Sequence, residues 1–392
     1  MRHQATVFQQ IVELFPWSQF DRLVREHKAE RRARGFNSRQ HFLTLLAGSL
    51  GGQQGLRPLV ATQAPNNGAL RLLGGKAPAR STLADANRNR PSELFFALLL
   101  KLLNCVNNRA KRRELKSALR LIDSTHIDFG PRMRRWFGQY QGREAGKIHL
   151  VYDPAAQRPV FFALTEASIN DITAAKTLLP IEPGATYVFD LGYYDFTWWA
   201  AMHAASCQFV TRLKSNTVLR DTTPRAVPHG AGVLSDCEGY LPERLAAHRR
   251  NPFDTKGREV VIRIDTGKVL RLFTNDLNST AEEIAALYKE RWQIELFFKW
   301  IKQNLKIERF MGTSDNAIRT QIAVAFIAHI LVCLMHEEQT KGIAAKDATP
   351  ARLLLIVQTH IFVRRPIALL LDPKAPPQPP KPGPLPLWAA SN

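Results

Sequence analysis

From about residue 4 to 109, apolar positions recur every three or four residues, which predicts a run of helices. Phe8, Ile11, Val12 and Phe15 line the inner face of the first, and Pro16 breaks it. Ser18 offers a cap for a second helix, with Asp21 in its first turn. That helix is expected to carry Arg22, Arg25, Lys28, Arg31, Arg32 and Arg34 up to Gly35. Ala79 to Arg90 predicts a short capped helix stopped by Pro91. After the basic linker Lys111-Arg112-Arg113 the period shortens to that of strands. Residues 118–128, 147–152 and 160–165 predict three strands, the last two joined by a turn at Asp153-Pro154. Residues 171–179 suit a helix, and 185–190 a buried strand running into a turn at Gly192. Cys207 to Asn216 fits a strand and a basic turn. Residues 259–264 and 269–273 flank Asp265-Thr266-Gly267-Lys268, a hairpin signal. Thr280-x-x-Glu283 reads as a capping box opening a helix through Lys302, and 317–363 is helical again. No internal repeat is visible.

Charge narrows the class. Lys and Arg number 54 against 34 Asp and Glu, a formal net charge of +20, and a polyanionic partner such as DNA or RNA is the first explanation. An acidic membrane is the rival, but the longest apolar run, Ile322 to Met335, is interrupted by His329 and too short to span. It is expected to be a buried helix. Arg2, His3 and Gln4 lead into amphipathic sequence, so no signal peptide is expected. Cys105, Cys207, Cys237 and Cys333 are widely spaced, which suggests reduced cysteines in a cytoplasmic protein and neither zinc nor disulfides.

The helix after Thr280 holds the candidate chemistry. At roughly 100° per residue, Tyr288, Arg291, Glu295 and Lys302 share an arc, with Trp292, Lys299 and Lys306 nearby. Leu287, Ile294, Phe297, Ile301 and Leu305 form a separate inward arc. One reading is a solvated face with Arg291–Glu295 and Glu295–Lys299 pairs. The other is a metal-binding carboxylate whose neighbours hold nucleic-acid phosphates. Tyr288-x2-Arg291-x3-Glu295-x6-Lys302 resembles, spacing for spacing, the Y-R-E-K signature of DDE transposases of the insertion sequence 4 family.

By that resemblance Glu295 is the last member of an acidic triad, and the other two carboxylates come from upstream strands. Three antiparallel-type strands, a helix and a further strand match the opening of a ribonuclease-H-like fold, in which the first and fourth strands are neighbours and each carries a carboxylate. Asp123 in Ile122-Asp123-Ser124-Thr125 and Asp190 in Asp190-Leu191-Gly192-Tyr193 stand at those places. Asp128 and Asp195 are expected to be turn or cap residues, and His126, His149 and Asp171 structural neighbours. The expected fold is α/β: an all-helical DNA-binding domain over 1–112, then a ribonuclease-H-like catalytic core over 113–335 with a β-rich insertion at about 212–270. A helical region over 336–371 and a Pro-rich tail over 372–392 follow.

The resemblance implies a DNA transposase that binds terminal inverted repeats, cleaves to free a 3′-OH and joins it to target DNA. Two Mg²⁺ ions, or Mn²⁺, would be held by Asp123, Asp190 and Glu295. Tyr288, Arg291 and Lys302 would grip the backbone near the cut, and Arg80, Asn87, Arg88 and Arg90 would contact element ends. A homodimer assembled on DNA is implied. A fragment ending near Arg109 is expected to bind the ends by itself. Some relatives stack a flipped base on an insertion-domain Trp during hairpin chemistry, but residues 212–270 contain none, which argues against that route. The alternatives are a catalytically silent DNA-binding protein on the same fold, and a ribonuclease-H-like nuclease without strand transfer.

Overall fold

A computed structural model of the chain describes residues 5–31, 33, 35–111, 118–128, 139–140, 143–227, 232–243, 250–304, 310–340 and 349–372. Arg32, Arg34, Arg112, Arg113, Leu305, Lys306 and the tail from 373 lie outside them. The described residues pack as two units, one of those up to 109 and from 300 onward, the other of those from 110 to 299.

The first unit is helical: α1 (Val7–Val12), α2 (Trp17–Glu26), α3 (Ser38–Leu50), α4 (Leu56–Gln63), α5 (Asn67–Arg71), α6 (Arg80–Asn89) and α7 (Ser92–Lys111). Thr6 and Gln9 cap α1 reciprocally, and Asn37 and Gln40 do the same for α3. Pro16, expected only as a breaker, is the N-cap of α2, which puts Ser18 inside the helix. Nor does α2 reach Gly35. It stops at Glu26, and Lys28 takes a φ of 48°, which a helix cannot continue through.

The second unit is built on a ten-stranded sheet. Its strands are β1 (Leu119–Asp128), β2 (Gln139–Tyr140), β3 (Arg143–Asp153), β4 (Arg158–Glu166), β5 (Thr186–Val188), β6 (Gln208–Arg212), β7 (Arg220–Pro224), β8 (Val233–Tyr240), β9 (Gly257–Arg263) and β10 (Val269–Thr274). Helix α8 (Asp171–Leu178) precedes β5, and α9 (Phe196–Ala204) follows it. The order β3-β1-β5-β6 sets the first and fourth core strands side by side, as expected, with β4 paired outside β3. β1 runs antiparallel to β3 and parallel to β5, and β5 is parallel to β6. The strands of the expected insertion form no separate layer. β10 pairs with β6, and β9, β8 and β7 continue the same sheet outward. Gly267, at φ 81°, supplies the left-handed turn residue of the β9–β10 hairpin. Behind the sheet, Phe189, Trp198, Trp199, Phe209, Phe253 and Phe273 pack as one buried aromatic cluster.

The helix expected after Thr280 is two. Thr280 and Glu283 form the capping box of α10 (Ala281–Glu290), and α11 (Trp292–Asn304) resumes after Arg291. The Arg291 amide donates to the Tyr288 carbonyl, a tight three-residue closure in place of the helical four. Ile294, Phe297 and Ile301 are buried as the period requires, and Leu287 is half-buried.

Past residue 300 the chain returns to the helical unit as α12 (Asp315–Gln339), α13 (Pro350–His360) and α14 (Ile367–Leu371). At 25 residues, α12 is longer than the run read from sequence, and by length and composition it is apolar enough to cross a membrane. Its most apolar stretch is 94% buried within the protein, which makes it a core helix. It packs against α1, α3 and α6. Asn316 donates to the Asn87 carbonyl, and its own side-chain oxygen accepts from the Ser92 amide. The N-terminal helices therefore share their core with a segment more than two hundred residues downstream. A fragment ending at residue 109 would expose the seat of α12. It is expected to melt without a cooperative transition by circular dichroism while the full chain melts sharply, and a sharp transition in the fragment would show that residues 5–109 suffice.

Candidate active site

Backbone register places the first two acids. In the parallel β1–β5 pair, Leu119 faces Thr186, Arg120 faces Tyr187 and Leu121 faces Val188. Continued two residues, that register brings Asp123 level with Asp190. Asp123 lies within β1, with its Oδ1 accepting from the Ser124 amide (2.8 Å). Asp190 follows β5 and caps a short 3₁₀ turn, Leu191–Tyr193, by accepting from the Gly192 amide (2.8 Å).

The third acid arrives through Arg291. Its Nη1 lies 3.5 Å from Asp123 Oδ2, while its Nη2 donates to Glu295 Oε1 one turn along α11. All three side chains are mostly shielded, at 17% exposure for Arg291, 18% for Asp123 and 33% for Glu295. The Phe297 ring anchors α11 on β3 through Tyr152, with centroids 4.9 Å apart. Tyr288 is buried beside Arg291, its ring 5.8 Å from the guanidinium. Burial pushes the Tyr288 phenol above its ordinary range, so it is a poor nucleophile near neutral pH.

Burial also pushes Asp123 up, to about 7, with the Asp190 and Glu295 charges adding and the Ser124 amide and Arg291 opposing. Buried carboxylates that repel one another are the electrostatic setting that a divalent cation relieves, and an all-oxygen donor set suits a hard ion. Among the described residues no three carboxylate, His or Cys side chains stand together as a ready ligand set. The pair Asp123 and Asp190 fits a cation, whereas Glu295 is held by Arg291.

The neighbours sort as follows. Asp195 caps α9 through the Trp198 amide and pairs with Lys176, the cap role expected of it. Asp171 is more than a bystander. It accepts from the Ser124 hydroxyl (2.7 Å), with Lys147 at 3.2 Å and His149 at 3.8 Å. Lys302 is half-buried on α11, beyond the point where the chain passes into the helical unit.

A groove of about 580 Å³ was not foreseen. It runs between the β9–β10 hairpin and α10 and is lined by Arg212, Arg263, Lys268, Lys289, Arg291 and Trp292 among others. Trp292 is 58% exposed there. The expected insertion holds no Trp, but α11 does, and the motif's run of Arg291-Trp292 was the available signal. Among the end-binding candidates, Arg80 and Arg88 are exposed on α6, but Asn87 and Arg90 are not. Leu83, Ala86, Asn87 and Arg90 share one helical stripe, and it faces inward. Asn87 bonds His41 Nε2 (2.6 Å), and Arg90 donates to the Phe36 carbonyl. Both are occupied inside the unit, so neither is available to DNA in this arrangement.

A transposase DDE domain matches residues 114–331, and a domain of unknown function matches 3–76. The chain belongs to the DDE transposase family. It is 41% identical over 260 residues to a putative transposase of Sinorhizobium fredii, covering 65% of this chain and 71% of that one. A probable transposase of the IS5377 element from Geobacillus stearothermophilus is 28% identical over 266 residues, covering 67% and 68%. A putative transposase of the IS4SA element from Synechocystis is 22% identical over 283 residues, covering 70% and 77%. The fold is similar to that of piggyBac transposase, solved by cryo-EM in a synaptic complex with hairpin DNA. That match has a TM-score of 0.50 at 10% identity, covering 95% of this chain and 83% of that one. This transposase is thus a metal-dependent enzyme that cleaves DNA and transfers strands.

The site predicts a pH signature. Because folding raises the Asp123 pKa, its contribution to stability is present below its ordinary 3.8 and is lost as pH rises through about 7. In metal-free protein, Asp123→Asn is therefore expected to flatten the fall in denaturation midpoint between pH 4 and 8. Parallel pH curves for wild type and variant would show that Asp123 ionises normally.

Proposed function

We propose that this transposase is of the insertion sequence 4 type and that Asp123, Asp190 and Glu295 are its catalytic triad. The observation that supports the assignment is the levelling of Asp123 with Asp190 across β1 and β5, with Arg291 joining Asp123 to Glu295. Asp123 and Asp190 would hold a divalent cation, Mg²⁺ or Mn²⁺ by the hardness of the donors, and Glu295 would complete the set once released from Arg291. A cation bound there supplies activation of the attacking oxygen and stabilisation of the leaving one. Arg291, freed in the same exchange, would turn its guanidinium to a phosphate at the cut. Tyr288 would support that arginine and position backbone without forming a covalent link. Arg80 and Arg88 would contact the element's terminal repeats from the helical unit, and the chain would work as a homodimer on DNA in the bacterial cytoplasm.

Asp123→Ala, Asp190→Ala and Glu295→Ala are each expected to abolish cleavage of terminal-repeat DNA with binding to it largely retained. Wild-type cleavage in any one variant would remove that residue from the triad. In the same assay with a target plasmid, joined products mark the transposase. Cleavage alone would mark a nuclease, and a bound but intact duplex a silent DNA-binding protein.

Lys302 gives a separate test, because a solvated surface pair contributes only about 0–1 kcal/mol and would leave DNA binding untouched. If Lys302 neutralises one phosphate, Lys302→Ala lowers the slope of log affinity against log salt by about 0.9 on pre-cleaved ends. Indistinguishable slopes in two folded proteins would remove Lys302 from the DNA contacts.

A further inference from the structure

We propose that Asp171 is a positioning residue that sets the spacing of the Asp123 and Asp190 carboxylates and so the affinity of that pair for a divalent cation. The inference rests on the assignment of those two residues as the cation's ligands.

Asp171 opens α8 and reaches toward both acids through their immediate neighbours. On the β1 side, its Oδ1 accepts from the Ser124 hydroxyl (2.7 Å), and the amide of the same serine donates to Asp123 Oδ1 (2.8 Å). On the β5 side, its Oδ2 packs against Gly192. A Cβ added at Gly192 would lie 3.0 Å from Asp171 Oδ2 and 3.0 Å from Asp190 Oδ1. The Gly192 amide is the donor that holds Asp190 Oδ1 (2.8 Å). One carboxylate thus rests on the two backbone positions that orient the two acids.

Its own place is fixed by Lys147 on β3. That side chain is 8% exposed, lies 3.2 Å from Asp171 Oδ1 and also donates to the Ile169 carbonyl (2.8 Å). Lys147 therefore ties Asp171 to the sheet and to the turn before α8 together. The Tyr193 phenol is buried on the same side; burial and the nearby Asp171, Asp123 and Asp190 charges push it well above its ordinary range, while the Ser124 side chain opposes the shift. Asp171 acts through Ser124 and Gly192, not on the reacting atoms. Ligand geometry is sensitive to such support, and removing an outer hydrogen-bond partner typically lowers metal affinity 10–100-fold.

The test is Mn²⁺ binding by the full-length protein, read by electron paramagnetic resonance, beside cleavage of terminal-repeat DNA at rising Mn²⁺. Asp171→Asn keeps the shape but removes the charge opposite Lys147, and Ser124→Ala removes the hydroxyl link to Asp171 while leaving its backbone amide on Asp123. Asp171→Asn is expected to weaken Mn²⁺ binding about tenfold or more, and Ser124→Ala to weaken it less. Both should recover cleavage as Mn²⁺ is raised and bind DNA as wild type does, which a merely structural defect would not produce. If Asp171→Asn fails to fold, Ser124→Ala decides alone. Wild-type Mn²⁺ affinity in the folded variants, with affinity lost in Asp123→Ala, would overturn the role of Asp171 and leave the ligands standing. Wild-type affinity in Asp123→Ala would sink the ligand assignment itself.

Discussion

Two carboxylates held level on adjacent parallel strands, Asp123 within β1 and Asp190 just past β5, repel each other, and much of the second unit serves to keep them there. A parallel pair needs a crossover, and here it is the long path through β3, β4 and α8. That path also delivers Lys147 and Asp171 to the site. The cost of the arrangement shows in Asp123, which burial and its acidic neighbours bring to about 7. Each orienting bond to the two acids comes from a backbone amide of the residue one or two places on. Short local bonds of this kind leave the second carboxylate oxygen to other partners, which on Asp123 is the Arg291 guanidinium.

Arg291 offsets the repulsion from the other direction. Its guanidinium spans from Asp123 to Glu295 and sits at the break between α10 and α11. A continuous helix would place residues 288, 291 and 295 on one smooth arc, whereas the tight closure at Arg291 shifts that arc locally. The pairing read from sequence as a solvated i,i+4 bridge exists, but it is shielded and shared with a third charge. Those two readings of the helix are not exclusive. The same arginine that decorates an ordinary helix pair also screens the acidic cluster.

Much of this was legible because it is local. Strand alternation located β1, β3 and β4, the hairpin turn at Gly267 located β9 and β10, and the Thr280 box located the start of α10. Asp195 lies beyond the resembled motif and reads as a cap, and it does cap α9. What escaped depends on distant partners. Asn87 and Arg90 have residue types that read DNA, yet both are buried, with the Asn87 side chain on His41 and Arg90 donating to the Phe36 carbonyl inside the helical unit. No local pattern separates a polar residue on a buried stripe from one on an exposed stripe when its partners lie far away in sequence. The same holds for α12, whose apolarity was plain but whose seat was not.

The helical unit carries a consequence for how DNA can be gripped. Its N-terminal helices and α12 share one core, so Trp300 and the described residues after it belong to the same unit as Arg80 and Arg88. α6 has its inward stripe spent on packing and presents only its outer residues. The end contacts proposed for Arg80 and Arg88 rest on a sparse set of exposed cations, which favours phosphate contacts over base reading. Sequence preference at the element ends would then come from other residues or from the shape of the DNA. In the second unit, Arg263, Lys268 and Lys289 are exposed along the groove between the β9–β10 hairpin and α10, which Arg291 also lines. That clustering near the acids suits a strand that must be held in line during chemistry, where a small misplacement costs far more than it does in binding.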